Sequence, residues 1–320
     1  MTRIAYLVGT DAHKAIEPDE QGVATHGNTD FFRLRTRDPR GYARLHVTPN
    51  YFSQPVRYDL GRFDLLLNLV TDPDQNPKVL ANLARLVKGY RGRVINPPDR
   101  ILRTTRDKVA RACASLPHVV APRTLRLAGA GPRAIGKLAA GFPFPAILRL
   151  TGTHTGQILG VVEDLEGLVA LIAEDSEHFL TEFKDFRSPD GLYRKYRFVF
   201  IGREIVMRHL LVSDRWNVHA ADRRRFMRER PGLVAEERNA IDYGIQALPH
   251  PVRAGLAEIR DAIGLDMFGV DCAISEDGVI LFEANATMNF FPLSNDPQFA
   301  YLGKALARAQ AAFDTLLFEV

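Results

Sequence analysis

Two apolar segments near the C terminus carry acidic and amide side chains at a spacing that constrains the whole fold. Residues 268–289 read FGVDCAISEDGVILFEANATMN, which predicts two strands joined by a glycine-containing turn. Asp271 lies on the first strand, whereas Glu283 and Asn285 lie on the second. Residues two apart on a strand point to the same face, so Glu283 and Asn285 share one. Three oxygen donors on one face suit Mg²⁺, which favours carboxylates shared with substrate phosphates.

The length of the turn decides whether Asp271 joins the other two side chains. A three-residue loop at 276–278 places Asp271 directly opposite Glu283. Gly278 then stands where such a loop needs a left-handed residue. A two-residue turn of Asp277 and Gly278 instead shifts the register by one and sends Asp271 to the other face. We favour the longer loop.

An ordinary hairpin with its polar residues on the wet face is the alternative, because alternation is usual in half-exposed strands. The apolar run 279–282 stands immediately before Glu283, which indicates burial on both faces of that strand. A carboxylate at the end of a buried strand needs a cation or several hydrogen-bond donors to offset its desolvation. The run therefore favours a cation site.

The composition is that of a globular protein with two or three subdomains. The chain has 320 residues, of which 46% are hydrophobic and 25% charged, and its formal charge is +4. This mildly basic balance is compatible with anionic ligands such as nucleotides but is too weak to indicate nucleic acid. Cys113 and Cys272 lie in apolar patterns without metal-ligand spacing, which indicates a reducing compartment. No segment reaches membrane-spanning length, so we expect a cytoplasmic protein.

Alternating strand and helix patterns predict an α/β (α+β) chain in three units. Residues 1–100 are expected to form an N-terminal α/β domain with strands at 4–8 and 63–70 and a helix at 76–90. The pattern at 11–62 is irregular and predicts no helix or strand. Residues 101–184 are expected to contain a helix capped by Thr105, strands at 144–150, 158–162 and 179–183, and a short helix capped by Asp164. Residues 185–320 are expected to contain strands at 193–201 and 204–212, helices near 234–247 and 251–263, the hairpin, and a final helix over 297–317.

In chain order these pieces resemble the ATP-grasp superfamily, and most closely its branch of glutathione synthetase and ribosomal-protein glutamate ligases. The resemblance runs from about Asn96 to Asn289, with a weaker match to the N-terminal substrate domain of those enzymes. It implies an ATP-grasp fold behind an N-terminal α/β pre-ATP-grasp domain. It is most specific in GVD…FEAN, where the family holds two magnesium ions that bridge the ATP phosphates. The implied metal ligands are Asp271, Glu283 and Asn285, and manganese can substitute for magnesium.

The resemblance also implies an ATP site. INPPDRILRTTRDKVA resembles the entry segment whose lysine, here Lys108, reaches the phosphates. FPAILRL resembles the strand that carries a second phosphate-binding cation, and Arg149 stands there in place of the usual lysine. TGTHTGQ resembles the glycine-rich loop that closes over the phosphates, with Gly152 and Gly156 letting the backbone approach. TEFKDF resembles the hinge whose backbone binds the adenine edge, which implies Glu182, Phe183 and Lys184.

Further resemblances supply candidate catalytic residues. RKYRFVFIGREIV resembles the strand pair whose arginine, here Arg197, points at the phosphates. DRWNVHAAD resembles the family's Arg-x-Asn segment and gives Arg215 and Asn217, with His209 and His219 nearby. Lone histidines are more often structural than catalytic. Arg215 or His219 is expected to orient the acceptor or to stabilise the tetrahedral oxyanion.

The implied function is an ATP-dependent carboxylate–amine ligase that forms an amide or peptide bond through an acylphosphate and releases ADP and phosphate. A small-molecule kinase on the same fold is one alternative, and a basic binding module is another. The binding module would use the arginines at 223–230, which we interpret as a solvated face or as a lid over phosphates. We expect small-molecule or peptide substrates, no nucleic acid and no membrane partner, and a homo-oligomer is compatible with the family. The residues that select the two substrates are expected at 11–62 and 209–230.

Overall fold

The structure, a computed structural model, describes most of the chain and confirms a mixed α/β architecture. Within the described residues it contains sheets of four, four and five strands and one two-stranded ribbon. The described ranges are 2–12, 18–19, 22–23, 27–31, 33–36, 42–128, 131–152, 158–172, 176–287 and 296–319.

The first unit is a parallel sheet with helices beside it. Its elements are β1 Ile4–Val8, β2 Pro18–Asp19, β3 Gly22–Val23, β4 Tyr42–His46, β5 Leu65–Asn68, α1 Pro77–Leu86, β6 Arg93–Ile95 and α2 Pro98–Ile101. The sheet order is β4-β1-β5-β6, and β2 pairs with β3 in the ribbon. β5 is buried along its whole length, as is usual for a parallel strand covered on both faces. β4 falls in the segment that the sequence left unordered, and one of its five residues is buried.

The second unit is an antiparallel sheet of order β10-β9-β11-β8. The elements are α3 Arg106–Cys113, β7 Val119–Val120, β8 Thr124–Leu127, α4 Pro132–Leu138, β9 Ala146–Leu150, β10 Gly160–Val162, α5 Leu165–Leu171 and β11 His178–Glu182. The expected cap of α5 is confirmed, because Asp164 Oδ1 accepts from the backbone N–H of Gly167 at 2.8 Å. Thr105 stands at the N-cap of α3, but its hydroxyl bonds the carboxylate of Asp107 at 2.8 Å instead of a backbone N–H.

The third unit is a five-stranded sheet. The elements are β12 Tyr193–Ile201, β13 Glu204–Ser213, α6 Pro231–Tyr243, α7 His250–Ile263, β14 Met267–Ser275, β15 Gly278–Asn285 and α8 Leu302–Phe318, with a π-helical turn at Arg223–Met227. The sheet order is β13-β12-β14-β15-β7, so a strand from the range 101–184 completes this sheet. The domain boundaries at residues 100 and 184 therefore stay predictions.

The hairpin of β14 and β15 pairs Asp271 with Glu283 as expected, but its turn has a different length. Ser275 pairs with Gly278, so the turn contains two residues and the expected three-residue loop is wrong. A β-bulge then leaves Phe282 as an extra residue on β15. Because the bulge shifts the register by one, Asp271 lies opposite Glu283.

Gly278 is required at the hairpin by a close approach of the backbone. Its φ is +144°, a value that disfavours side chains. A Cβ on this residue would lie 2.1 Å from the carbonyl oxygen of His118. That carbonyl accepts from the N–H of Val279 at 2.9 Å, and β7 begins at the next residue, Val119. The glycine thus lets β7 extend the third sheet.

The first and third units share a hydrophobic core. Phe313 of α8 is fully buried and packs on Phe31 of the first unit, with ring centroids 6.1 Å apart. The same cluster contains Ile4 of β1 and Val199 of β12. No described helix is both long and apolar enough to cross a membrane.

Candidate active site

A row of polar side chains crosses four strands of the third sheet. The register pairs His209 with Arg197, Arg197 with Asp271, and Asp271 with Glu283. Directly opposed residues of antiparallel strands share a face, so the whole row lies on one face. Asn285 lies two residues beyond Glu283 on the same strand and shares that face. The structure therefore brings together the three side chains that the sequence selected as metal ligands.

Asp271 is held by two cations. Arg197 grips both carboxylate oxygens, with Nε to Oδ1 at 2.5 Å and Nη2 to Oδ2 at 2.8 Å. The ammonium of Lys195 lies 3.5 Å from Oδ2. Burial lowers the pKa of Arg197, but the Asp271 charge and hydrogen bonds outweigh it and raise the pKa above its ordinary value. Asp271 is buried, with 7% of the residue exposed, so this pairing supplies the counter-charge that burial demands.

Glu283 is the second carboxylate of the row, and Arg106 of α3 pairs with it. The amide of Asn285 also donates to Glu283 Oε1 at 3.1 Å. Burial alone would raise the pKa of Glu283, but the charges of Arg106, Arg197 and Arg149 hold it well below its ordinary value. The carboxylate is therefore ionised at neutral pH and can bind a cation.

Arg149 of β9 faces the same acid from the second sheet. Burial, and then the charge of Arg106, lower the pKa of Arg149 to about 10, while Glu283 acts in the opposite direction. Among the described residues none accepts a hydrogen bond from its buried Nε. A buried guanidinium donor without an acceptor is costly, which suits a site that an anion fills.

A small cavity that opens to solvent lies beside Glu283 between the second and third sheets. The bulge that adds Phe282 to β15 turns this ring towards the cavity next to Glu283. The cavity is lined by Arg106, Val109, Ala110, Ala121, Pro122, Thr124, Thr181, Leu281, Phe282, Glu283 and Ala284. Apolar walls with a few polar groups at one end are typical of small-molecule sites.

The first unit reaches the site at two places. The hydroxyl of Thr29 donates to the carbonyl of Ala286, one residue past Asn285, at 2.8 Å. The side-chain amide of Gln75 donates to the carbonyl of Gly152 at 2.7 Å and so ties the expected glycine loop to the first unit. The first unit therefore helps to close the site.

Of the expected phosphate-binding residues, Lys108 makes a different contact in the structure. Lys108 is exposed, and its ammonium donates to the carbonyl of Leu102 at 2.7 Å. Residues two apart on a helix do not face each other, so Arg106 faces Glu283 while Lys108 does not. Gly152 has a φ of +69°, a conformation that favours glycine. Gly156 lies outside the described residues.

The expected hinge residues lie close to the cavity but do not line it. The backbone N–H of Glu182 donates to Arg123 at 2.9 Å, and that of Phe183 donates to Pro145 at 2.9 Å. Neither N–H can donate to an adenine unless those bonds break. The side chain of Lys184 forms an ion pair with Glu182. Thr181, one residue earlier, is the part of this segment that lines the cavity.

The loop after β13 carries Arg215, Asn217 and His219, and all three side chains are exposed. Trp216 packs edge-on against Phe183, with ring centroids 5.3 Å apart, which places the loop beside the expected hinge. The structure shows no hydrogen bond or ion pair between these three described side chains and the acids of the row. His209, in contrast, lies in the row, and burial followed by the neighbouring cations lowers its pKa well below the ordinary value.

The arginine segment 223–230 is not one solvated face. Arg223 pairs with Glu237, which is fully buried, and Arg225 pairs with both Asp222 and Asp214. A charge run in sequence says nothing about which carboxylates approach it in the fold, and here those carboxylates come from the preceding loop and from α6.

Arg106 and Lys195 are site residues that the sequence analysis missed. Lys195 lies two residues before Arg197 on β12, so strand alternation was a signal that could have found it. Arg106 follows the cap residue of α3, and no local pattern distinguishes it from Lys108. Their contacts with Asp271 and Glu283 depend on tertiary packing.

The donor set fits a magnesium ion shared with a ligand. No group of three or more His, Cys, Asp or Glu side chains in the described part of the chain is arranged to hold a metal by itself. Two carboxylates and one amide oxygen, from Asp271, Glu283 and Asn285, do share a face. Such a set leaves coordination positions for phosphate oxygens and water, as Mg²⁺ sites commonly do.

Neither a scan against protein-family models nor a search of curated proteins gives a match. Solved structures do match over nearly the whole chain. A RimK domain ATP-grasp protein from Sphaerobacter thermophilus has 18% identity and a TM-score of 0.52, with 97% of this chain and 98% of that chain covered. An ATP-grasp ligase from Chryseobacterium gregarium, solved with ADP and with leader and core peptide, has 12% identity and a TM-score of 0.54, with 99% and 96% covered.

A third structure, the VanG D-Ala:D-Ser ligase from Enterococcus faecalis, has 12% identity and a TM-score of 0.52, with 98% of this chain and 99% of that chain covered. Identities this low establish the fold and not the substrate. The agreement extends across all three units, including the N-terminal parallel sheet.

Proposed function

We propose that this chain, which has the ATP-grasp fold, is an ATP-dependent ligase that joins a carboxylate to an amine through an acylphosphate. The observation that carries the proposal is the row of Arg197, Asp271 and Glu283, which lies beside a cavity between two sheets. The ATP-grasp ligases that share this fold support ATP as the nucleotide and ligation as the reaction class.

An excess of positive charge around the row supports a polyanionic ligand. Six cationic side chains lie in or beside the row with three carboxylates, which leaves three positive charges in excess. The cations are Lys195 and the arginines 106, 149, 197, 208 and 223, and the carboxylates are Glu237, Asp271 and Glu283. ATP brings a compensating negative charge to such a site.

Asp271, Glu283 and Asn285 would hold magnesium, as two ions for which manganese can substitute. Bound there, the metal would neutralise the charge that develops on the phosphates during transfer. In the structure Arg197 and Arg106 occupy the carboxylates. We propose that these arginines transfer from the acids to the phosphates when nucleotide and metal bind together.

The chemistry follows from the poor reactivity of a carboxylate. Its charge repels an amine, and oxide is a poor leaving group. Transfer of the γ-phosphoryl group to a carboxylate oxygen breaks the bond to the β-phosphate, releases ADP and forms an acylphosphate. The amine then attacks the acyl carbon, and phosphate leaves as the amide forms. Arg197 and Arg149 would neutralise the phosphoryl oxygens, and the loop that includes Gly152 would exclude water.

The remaining sequence candidates keep subsidiary roles in the proposal. Lys108 and Gly156 belong to the proposed phosphate site, and Lys108 would have to leave the carbonyl of Leu102 to reach it. The segment of Glu182, Phe183 and Lys184 would contact the base through its carbonyl groups. The exposed Arg215 and His219 would orient the acceptor when the loop after β13 closes.

We propose small-molecule or peptide substrates and a cytoplasmic setting. Peptide substrates are supported by the peptide-bound ligase among the similar structures. No surface in the described residues identifies the oligomeric state.

The test is ADP formation by the purified chain with Mg²⁺, ATP and a panel of amino acids and peptides. A ligase releases ADP and phosphate in equal amounts, and added hydroxylamine converts the acylphosphate into a hydroxamate. A stable phosphorylated product with no free phosphate would instead identify a kinase. Absence of ATP binding would contradict both.

A further inference from the structure

A second β-bulge turns two consecutive side chains of β13 towards the row. Phe198 pairs with Met207, whereas Arg197 pairs with His209, so Arg208 is the extra residue. Strand alternation puts Arg208 on the face opposite Met207, and His209 already shares the face of Arg197. The bulge therefore gives the active-site face an additional arginine.

No described residue forms an ion pair with Arg208. Its buried Nη1 has no hydrogen-bond acceptor among the described residues. Burial, and then the positive charges of Arg223 and Arg197, lower the pKa of Arg208 to about 10, while Glu237 acts in the opposite direction. A guanidinium placed among other guanidinium groups without an acceptor is destabilised until an anion arrives.

Glu237, the carboxylate whose charge acts on Arg208, already has two other partners. Glu237 accepts from Nε of Arg223 at 3.1 Å and from Nη2 of Arg223 at 2.5 Å. The hydroxyl of Tyr301 donates to the same carboxylate at 2.6 Å. This pairing holds Arg223 in place, and the positive charge of Arg223 acts on Arg208.

The unpaired cations fall into two groups on either side of Arg197. The charges of Arg106 and Glu283, which line the cavity, act on Arg149. The charges of Arg223 and Arg197 act on Arg208 at the other end of the row. β13 and β15 are separated by two intervening strands, about 14 Å in sheet geometry.

We propose that Arg208 binds a carboxylate of the organic substrate at the end of the row away from the cavity. This rests on the proposed ligase function, because it assigns the Arg149 end of the row to the nucleotide. The bidentate geometry of a guanidinium suits a carboxylate, and the neighbouring Arg223 adds favourable potential.

The experiment compares the full chain with Arg208→Met, Arg208→Lys and the control Arg203→Met. Arg203 is exposed on the turn between β12 and β13 and serves as a matched arginine outside the row. Thermal unfolding is measured in sodium formate, the smallest carboxylate probe, and in sodium chloride at the same ionic strength. Tripolyphosphate is the probe for the nucleotide end.

We expect formate to raise the melting temperature of the wild type and of Arg203→Met, but not of Arg208→Met. Arg208→Lys should keep part of the effect because it keeps the charge. Stabilisation by tripolyphosphate should persist in every variant. Without added anion, Arg208→Met should be as stable as the wild type, since the residue it replaces has no partner. With an identified substrate, Arg208→Met should raise KM about 10- to 100-fold with a smaller change in kcat.

Three results would overturn the inference. Equal formate stabilisation of Arg208→Met and wild type would remove the carboxylate site. Loss of the tripolyphosphate effect in Arg208→Met would assign the residue to the nucleotide. A large drop in the anion-free melting temperature would show a structural role. Failure of the wild type to bind a non-hydrolysable ATP analogue would instead contradict the proposed function and leave the formate result standing.

Discussion

Replacing Glu283 by glutamine separates the proposed metal role of this side chain from its structural role. Glutamine keeps an oxygen that can accept from the amide of Asn285 and from Arg106, but it removes the negative charge. The side chains of Glu283 and Arg106 are 18% and 20% exposed, so the pair is shielded from solvent. Breaking a buried pair completely costs about 3–5 kcal/mol, and retention of an acceptor reduces the expected cost to about 1–3 kcal/mol.

The expected consequences for stability and activity differ in size. A cost of this order lowers the melting temperature by about 2–10 °C for a chain of this length. Loss of one anionic metal ligand should reduce ATP turnover by about a thousandfold or more, since that charge acts on the transferring phosphoryl group. Melting by circular dichroism and ADP release on the same preparation measure both effects.

Glu258→Gln is the matched control. Glu258 accepts from the backbone of His118 at 3.1 Å and pairs with its ring at 2.7 Å, away from the row. It should show a small loss of stability and unchanged turnover. The reasoning is refuted if Glu283→Gln keeps more than about a tenth of wild-type turnover, or if it unfolds the chain altogether.

Three further predictions follow from contacts around the row. Mg²⁺ alone should leave the melting temperature unchanged because arginines pair with the carboxylates that would bind it, whereas Mg²⁺ with an ATP analogue should raise the melting temperature. Arg106→Met should bind Mg²⁺ alone more tightly, as measured by calorimetry. An unchanged affinity would contradict the proposed transfer of the arginines to the phosphates. Gln75→Met should weaken binding of the ATP analogue about 2- to 10-fold by losing the bond to Gly152, whereas Gln298→Met, which loses an exposed bond to a backbone carbonyl, should not. The folded chain holds the pKa of Glu283 below its ordinary value, so ionised Glu283 stabilises the fold above about pH 4.5. This stabilisation is lost as the pH falls towards the pKa of Glu283 in the folded chain. Between about pH 6 and 3 the denaturant midpoint of Glu283→Gln should therefore fall less steeply than that of the wild type.

Periodicity in the sequence located most of the regular elements. The helix expected at 76–90 spans Pro77–Leu86, and the strand expected at 193–201 has those bounds. These segments alternate or repeat cleanly because one face of each is buried. β4, Tyr42–His46, was not found because it carries polar and aromatic residues with little burial. Its place in the sheet comes from pairing with β1, which no local pattern records.

The site was predicted where it depends on strand alternation and was missed where it depends on packing between units. Asp271, Glu283 and Asn285 share a face as expected, although a bulge and not a longer turn sets the register. An extra apolar residue inside an apolar run leaves no trace in the pattern. Arg106 and Arg208 could not be selected, because their significance lies in which charges surround them after folding.

The most direct test of the account is a crystal structure of the chain with Mg²⁺ and a non-hydrolysable ATP analogue. We expect a metal about 2.1 Å from a carboxylate oxygen of Asp271 and of Glu283, and also bound to phosphate oxygens. Arg197 should have left Asp271 for a phosphate. Phosphates bound elsewhere, with Arg197 and Arg106 still paired to the two acids, would contradict the central claim.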